Sequence, residues 1–173
     1  MIIEAARADQ LSGMASFIND CWRAAYRGIL DQDFLDKLTT KRRVELMSAK
    51  SRHGMTIELA CDDQEIAGLV MYGPSHFPDL PTAGEISMLY VRPDLIGQGL
   101  GHRLLVLAEG ILADQGYTKI ALDVFSANTR AIQFYVSHGY SKVADKPDDI
   151  DGRVYALDIM AKSQPSGAEA GLG

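Results

Sequence analysis

The twelve residues DLIGQGLGHRLL, at positions 94–105, constrain the fold of this chain more than any others. Glycine stands at 97, 99 and 101, between an apolar run that ends at Val91 and a helical apolar pattern that begins at Leu100. Glycine loses the most backbone freedom on folding, so three at alternate positions mark a sharp turn or a close approach to something. A helix starting there presents unpaired N–H groups and the positive end of its macrodipole, which favour an anion. The segment reads in two ways, as a backbone cradle for a phosphate-bearing ligand or as a bare strand-to-helix turn. In both readings GEISMLYV, the helix and KIALDVF follow one another as strand, helix and strand across residues 84–125. A crossover of that kind makes the two strands parallel.

The other elements fall around this unit. MIIEAA reads as a first strand. Leu11, Met14, Phe17, Ile18, Cys21, Trp22 and Ala25 recur in steps of three and four, a helical stripe that Asp9 is placed to cap and Gly28 to end. DQDFLDKL and TTKRRVELMSAK read as short helices, the second capped by Thr40. MTIELAC and IAGLVMYG, joined by DDQE, form a hairpin. Gly116 closes the helix from Leu100, and a further helix runs from Asn128 to Gly139. YSKVA and RVYALDIMA are strands flanking a polar turn, DKPDDIDG. The result is a mixed α/β domain over residues 1–162. The tail, KSQPSGAEAGLG, has too little apolar content to pack, so residues 163–173 are expected to be disordered.

Composition removes several functions. A formal net charge of −6 weighs against nucleic acid as the partner, because phosphate backbones demand basic surfaces. No apolar run reaches the ~18 residues of a membrane span, and MIIEAARAD lacks the pattern of a signal peptide, so the expected setting is cytoplasmic. Cys21 and Cys61 form no CxxC and read as reduced thiols. His53, His76, His102 and His138 lack metal-ligand spacing, so no metal is expected.

The dinucleotide fingerprint would need glycine at 102 or 104, where His102 and Leu104 stand, and the G-K-[S/T] of a P-loop is absent. The motif is G-x-G-x-G. With LYVRP before it and NTRAIQFY after the next strand, residues 85–140 resemble the GNAT superfamily of acyl-CoA-dependent N-acetyltransferases, marked by a (Q/R)-x-x-G-x-(G/A) loop. The resemblance implies a mostly antiparallel mixed sheet whose central parallel pair splays to bind acyl-CoA, with helices on both faces. It implies acetyl-CoA as cosubstrate, its pyrophosphate on the backbone of Gly97, Gln98, Gly99, Leu100, Gly101 and His102. The pantetheine arm would lie along Leu89, Tyr90 and Val91, with Asn128 as a cap that also contacts the ligand. Ile96 takes the family's Gln/Arg position, a departure that Gln98, Arg92 or Arg103 would have to offset.

Acetyl transfer needs proton management. For a lysine-like amine of pKa ~10.4, reaching the neutral form at pH 7 costs about 4.6 kcal/mol, against about 1.4 kcal/mol for an α-amino group of pKa ~8. A positioned base therefore matters. Tyr135 matches the tyrosine of the family's N-x-x-A-x-x-F-Y pattern and is the candidate acid; the same residue also suits an apolar helix face. Glu85 and Asp123, a carboxylate inside a strand pattern, are the candidate bases, with a water chain as the third option. Trp22, Tyr26 and Phe34 either line the acceptor pocket or belong to the core. The expected activity is direct acetylation of a small-molecule amine or a peptide N-terminus in a ternary complex, by a monomer or homodimer. The alternatives are a catalytically idle acyl-CoA-binding module and, disfavoured by the missing glycine, a nucleotide-dependent oxidoreductase.

Overall fold

The computed structural model describes residues 1–63 and 65–164. Seven strands, β1 (Ile2–Ala5), β2 (Thr56–Asp62), β3 (Glu65–Pro74), β4 (Gly84–Val91), β5 (Lys119–Phe125), β6 (Ser141–Ile150) and β7 (Arg153–Ser163), form one sheet in the order β1-β2-β3-β4-β5-β7-β6. Neighbours are antiparallel except β4 and β5, the parallel pair that the crossover requires. The helices are α1 (Leu11–Ala25), α2 (Gln32–Asp36), α3 (Thr40–Arg52), α4 (Leu100–Asp114) and α5 (Thr129–Ser137). On one face, Leu104, Leu105, Ala108 and Leu112 of α4 pack against Val70, Ile86, Ile120 and Leu122. On the other, Met14, Ile18 and Met47 of α1 and α3 pack against Leu59, Leu69 and Met71. Each such side chain contributes about 1.5–3 kcal/mol by leaving water.

The feature that positions the site is a break in the middle of the sheet. Met71 of β3 faces Met88 of β4 and Tyr72 faces Ile86, so Ser87 is an extra residue without a partner. A bulge of this kind bends its strand and increases the local twist. Lys50 of α3 donates to the Ser87 hydroxyl at 2.7 Å and pins the bulge. β4 meets β5 only at Gly84–Ile120 and Glu85–Ala121. Residues 86–91 have no partner on that edge, an opening about 20 Å long at the usual rise of a strand.

Four local expectations are corrected. Asp9 lies in a 3-10 turn, Ala8–Gln10, and the Gln10 side chain accepts from the Arg7 N–H instead. Thr39, not Thr40, caps α3, accepting from the Arg42 N–H at 3.3 Å. DKPDDIDG is mostly strand: β6 continues to Ile150, and the turn is Asp151-Gly152, both at positive φ (54° and 81°). That is the pair a two-residue type I′ hairpin prefers. β7 also extends to Ser163, with Lys162 opposite Ile120 and the Gln164 N–H donating to the Thr118 carbonyl at 2.7 Å. The rest of the expected tail, residues 165–173, lies outside the described residues.

Candidate active site

The glycine segment meets the sheet opening at its far end. Gly97 (φ 85°) and Gly99 (φ 87°) take left-handed conformations, and a Cβ built on either meets nothing within 4 Å. Gly99 is the N-cap of α4, and no side chain caps that helix. The first bond into the helix runs from the Arg103 N–H to the Gly99 carbonyl. The N–H groups of Gly97, Gly99, Leu100, Gly101 and His102 find no acceptor among the described residues. Unpaired N–H groups at a helix start, with open space above them, fit a diphosphate. Gln98 is the exception within the segment. Its N–H donates to the Leu95 carbonyl at 3.3 Å and its side chain to the Asp94 carbonyl at 2.9 Å, so neither faces a ligand. Arg92 is likewise held by Asp94 and Glu65. Of the groups placed to offset Ile96, Arg103 alone has no side-chain partner among the described residues. Gly101 is helical; a Cβ there would stand 3.7 Å from Phe134 and Val91, an ordinary contact that admits alanine.

The free edge of β4 is set by strand alternation. The Arg92 N–H donates to the Ala67 carbonyl of β3. Antiparallel pairs alternate, so Tyr90, opposite Leu69, also turns its backbone groups toward β3. Leu89 and Val91 turn theirs into the opening. Tyr90 is thereby corrected as a backbone contact for the ligand. Its phenol instead accepts from Trp22 Nε1 at 2.8 Å. The Cys21 thiol, pushed up to about 12 by burial and the nearby Asp20, sits 3.7 Å from the Val91 carbonyl.

Tyr135, on α5, packs edge-on to Phe134 and Tyr140. Burial, with Tyr90 and Asp123 nearby, pushes its phenol above the usual range, so it stays protonated at neutral pH. Asn128 caps α5, accepting from the Ala131 N–H at 3.2 Å. His102 on α4 and His138 after α5 join at 2.9 Å, and His138 Nδ1 donates to the Phe134 carbonyl.

The two carboxylates differ in their surroundings. Asp123 lies on β5 two residues beyond Ala121, the last one paired with β4; Oδ2 accepts from Lys146 at 2.6 Å, and Oδ1 has no hydrogen bond among the described residues. Glu85 belongs to the closed end of the β4–β5 pair and is 1% exposed. Its Oε2 accepts from the His76 N–H at 2.9 Å and from His76 Nδ1 at 2.6 Å. Burial alone would raise its pKa, but these His76 contacts and the nearby Lys50 hold it below the usual carboxylate value. Asp123 therefore lies past the paired end of β4 and β5, and Glu85 lies within it. Sequence reasoning missed His76, Lys50 and Lys146, the partners of these groups. Lys146 lay in the segment taken for a turn, and the alternating burial of β6 would have exposed it.

Trp22, Tyr26 and Phe34 gather as an aromatic cluster with Phe125, the Trp22 and Tyr26 rings edge-on at 4.9 Å. Trp22 and Phe34 also line a cavity of about 300 Å³ between α1, α3 and the β6–β7 turn, so they belong to core and cavity at once.

A family model, described as the acetyltransferase (GNAT) family, matches residues 11–140. The chain is similar to the N-acetyltransferase YuaI of Bacillus subtilis (strain 168), 24% identical over 151 residues, or 87% of this chain and 86% of that protein. It is similar to spermidine N(1)-acetyltransferase of Thermoplasma acidophilum, 20% identical over 161 residues, or 90% and 94% of the two chains. The solved structure of PaiA N-acetyltransferase from Thermoplasma acidophilum in complex with coenzyme A matches with a TM-score of 0.67 and 22% identity, over 94% of this chain and 99% of that one.

Proposed function

The chain belongs to the acetyltransferase (GNAT) family, and we propose that it passes the acetyl group of acetyl-CoA directly to a primary amine within a ternary complex. As a member of that family it is an acyltransferase and acetyl-CoA is its cosubstrate. The thioester supplies an activated acetyl group; the protein supplies position and protons. The uncapped start of α4 holds the diphosphate on the N–H groups of Gly97, Gly99, Leu100, Gly101 and His102. The backbone of Leu89 and Val91 pairs with the amides of the pantetheine arm, as an added strand would.

Asp123 takes the proton of the amine through its free Oδ1, while Lys146, donating to Oδ2, orients the carboxylate. Tyr135 donates its hydroxyl proton to the departing thiolate, a role supported by a phenol that stays protonated. Glu85 is a positioning residue: it ties His76 and the segment after β3 to the closed end of the strand pair. The acceptor is a small amine or a peptide N-terminus, and the similarity to a spermidine acetyltransferase supports an amine. The observation that carries this reading is the coincidence of an open β4 edge with an uncapped α4. Initial rates with both substrates varied test it. Intersecting double-reciprocal lines are expected; parallel lines, the mark of a covalent acyl-enzyme, would overturn direct transfer.

A further inference from the structure

Arg43 is an unusual residue to find inside this protein. It lies in the first turns of α3 and is 6% exposed. Its guanidinium stacks over Trp22, 4.4 Å from the ring, and Nε donates to Asn19 Oδ1 at 3.0 Å. Among the described residues no carboxylate pairs with it. A buried cation without a counter-charge is costly, and an anion seated beside it would offset that cost. Arg43 lines the cavity of about 300 Å³, with Arg42 beside it and Trp22, Phe34 and Leu38 as apolar walls. Asp148 and Asp149 at the end of β6 and Asp151 in the β6–β7 turn line it as well.

The cavity lies against β4: Trp22, which lines it, donates its indole N–H to the phenol of Tyr90, the residue between Leu89 and Val91 on the open edge. We propose that the acceptor is an amine carrying a carboxylate, an apolar amino acid in class, whose carboxylate docks on Arg43. This rests on the acetyltransferase reading above. The volume lies at the small end of ligand sites, ~300–1,000 Å³, which suits a single amino acid. The aspartate wall repels simple anions and tolerates a carboxylate only when an ammonium accompanies it.

The test measures kcat/KM for apolar L-amino acids, their carboxamides and spermidine, with wild type and Arg43→Gln. The carboxamide is the less basic amine and so more of it is neutral at pH 7; a preference for the acid therefore runs against intrinsic reactivity. At least one acid is expected to exceed its carboxamide and spermidine by about tenfold or more in wild type, as a charge-assisted contact implies. Arg43→Gln brings the acid-to-carboxamide ratio to about one, through KM of the acid. Carboxamides or spermidine matching every acid in wild type would overturn the proposal and leave the acetyltransferase reading standing, and that comparison needs no variant to fold. A ratio that survives in Arg43→Gln would also overturn it. Failure to acetylate any of these amines, or a broader set of primary amines, would remove the enzymatic reading and this one with it.

Discussion

In the proposed mechanism Tyr135 and Asp123 each act through one polar group, and each group can be removed with little change of shape. Tyr135→Phe deletes one hydroxyl that has no hydrogen-bond partner among the described residues, so kcat should fall at least ~10-fold while KM for acetyl-CoA stays within about twofold. Wild-type kcat in that variant would make the residue structural. Asp123→Asn should lower kcat/KM by ~10²-fold at pH 7, with the loss shrinking toward pH 9 as neutral amine becomes abundant. Glu85→Gln should act differently. The Glu85 carboxyl is held below its usual value, so its contribution to stability is complete above the unfolded pKa of ~4.3 and is lost as pH falls through the lower folded value. Wild type should lose stability across that acid window and Glu85→Gln should lack that component, as denaturant titrations at pH 3 to 7 would show. Both carboxylates were legible in the sequence because an acidic residue in a strand pattern demands a reason. Their separation was not, since it depends on His76 and Lys146, which reach them across strands.

At the scale of elements, the link from β4 into α4 makes the sharpest claim. Gly97 and Gly99 are needed for positive φ, and Gly101 is not. Gly99→Val should cost about 1–2 kcal/mol from the left-handed conformation and weaken coenzyme A binding at least ~10-fold by covering N–H groups. Gly101→Ala should change either by less than about twofold. Calorimetric titration of the two variants decides this; equal weakening would mean that the segment is only a turn. The motif was readable because alternate glycines between two hydrophobic periods are a local signal. The family resemblance implied that this strand bulges and splays, but not that the bulge falls at Ser87, because that position is defined by register against β3. The length of β6 was hidden as well. Lys146, Pro147, Asp148 and Asp149 look like a turn, and only pairing with β7 on the edge of the sheet, where proline is tolerated, makes them strand.

The whole molecule is a sheet held closed at one end by Gly84–Ile120 and Glu85–Ala121 and left open at the other. A ligand that fills the opening completes the sheet, so acetyl-CoA at 100 times its Kd should stabilise the fold by about 2.7 kcal/mol. For a chain of this size that is a rise in Tm of about 5–10 °C, readable by calorimetry. The parallel pair and the mixed sheet were predictable from one crossover, whereas the strand order β5-β7-β6 rests on long-range pairing that no local pattern records. In the proposed function this opening serves acetyl transfer to an amine. Thiol release from acetyl-CoA by the wild-type protein, followed with and without a panel of primary amines, tests it most directly. Release that rises with amine concentration and yields product heavier by one acetyl group is the predicted result. Release that ignores the amine, or none with any of them, would contradict the account.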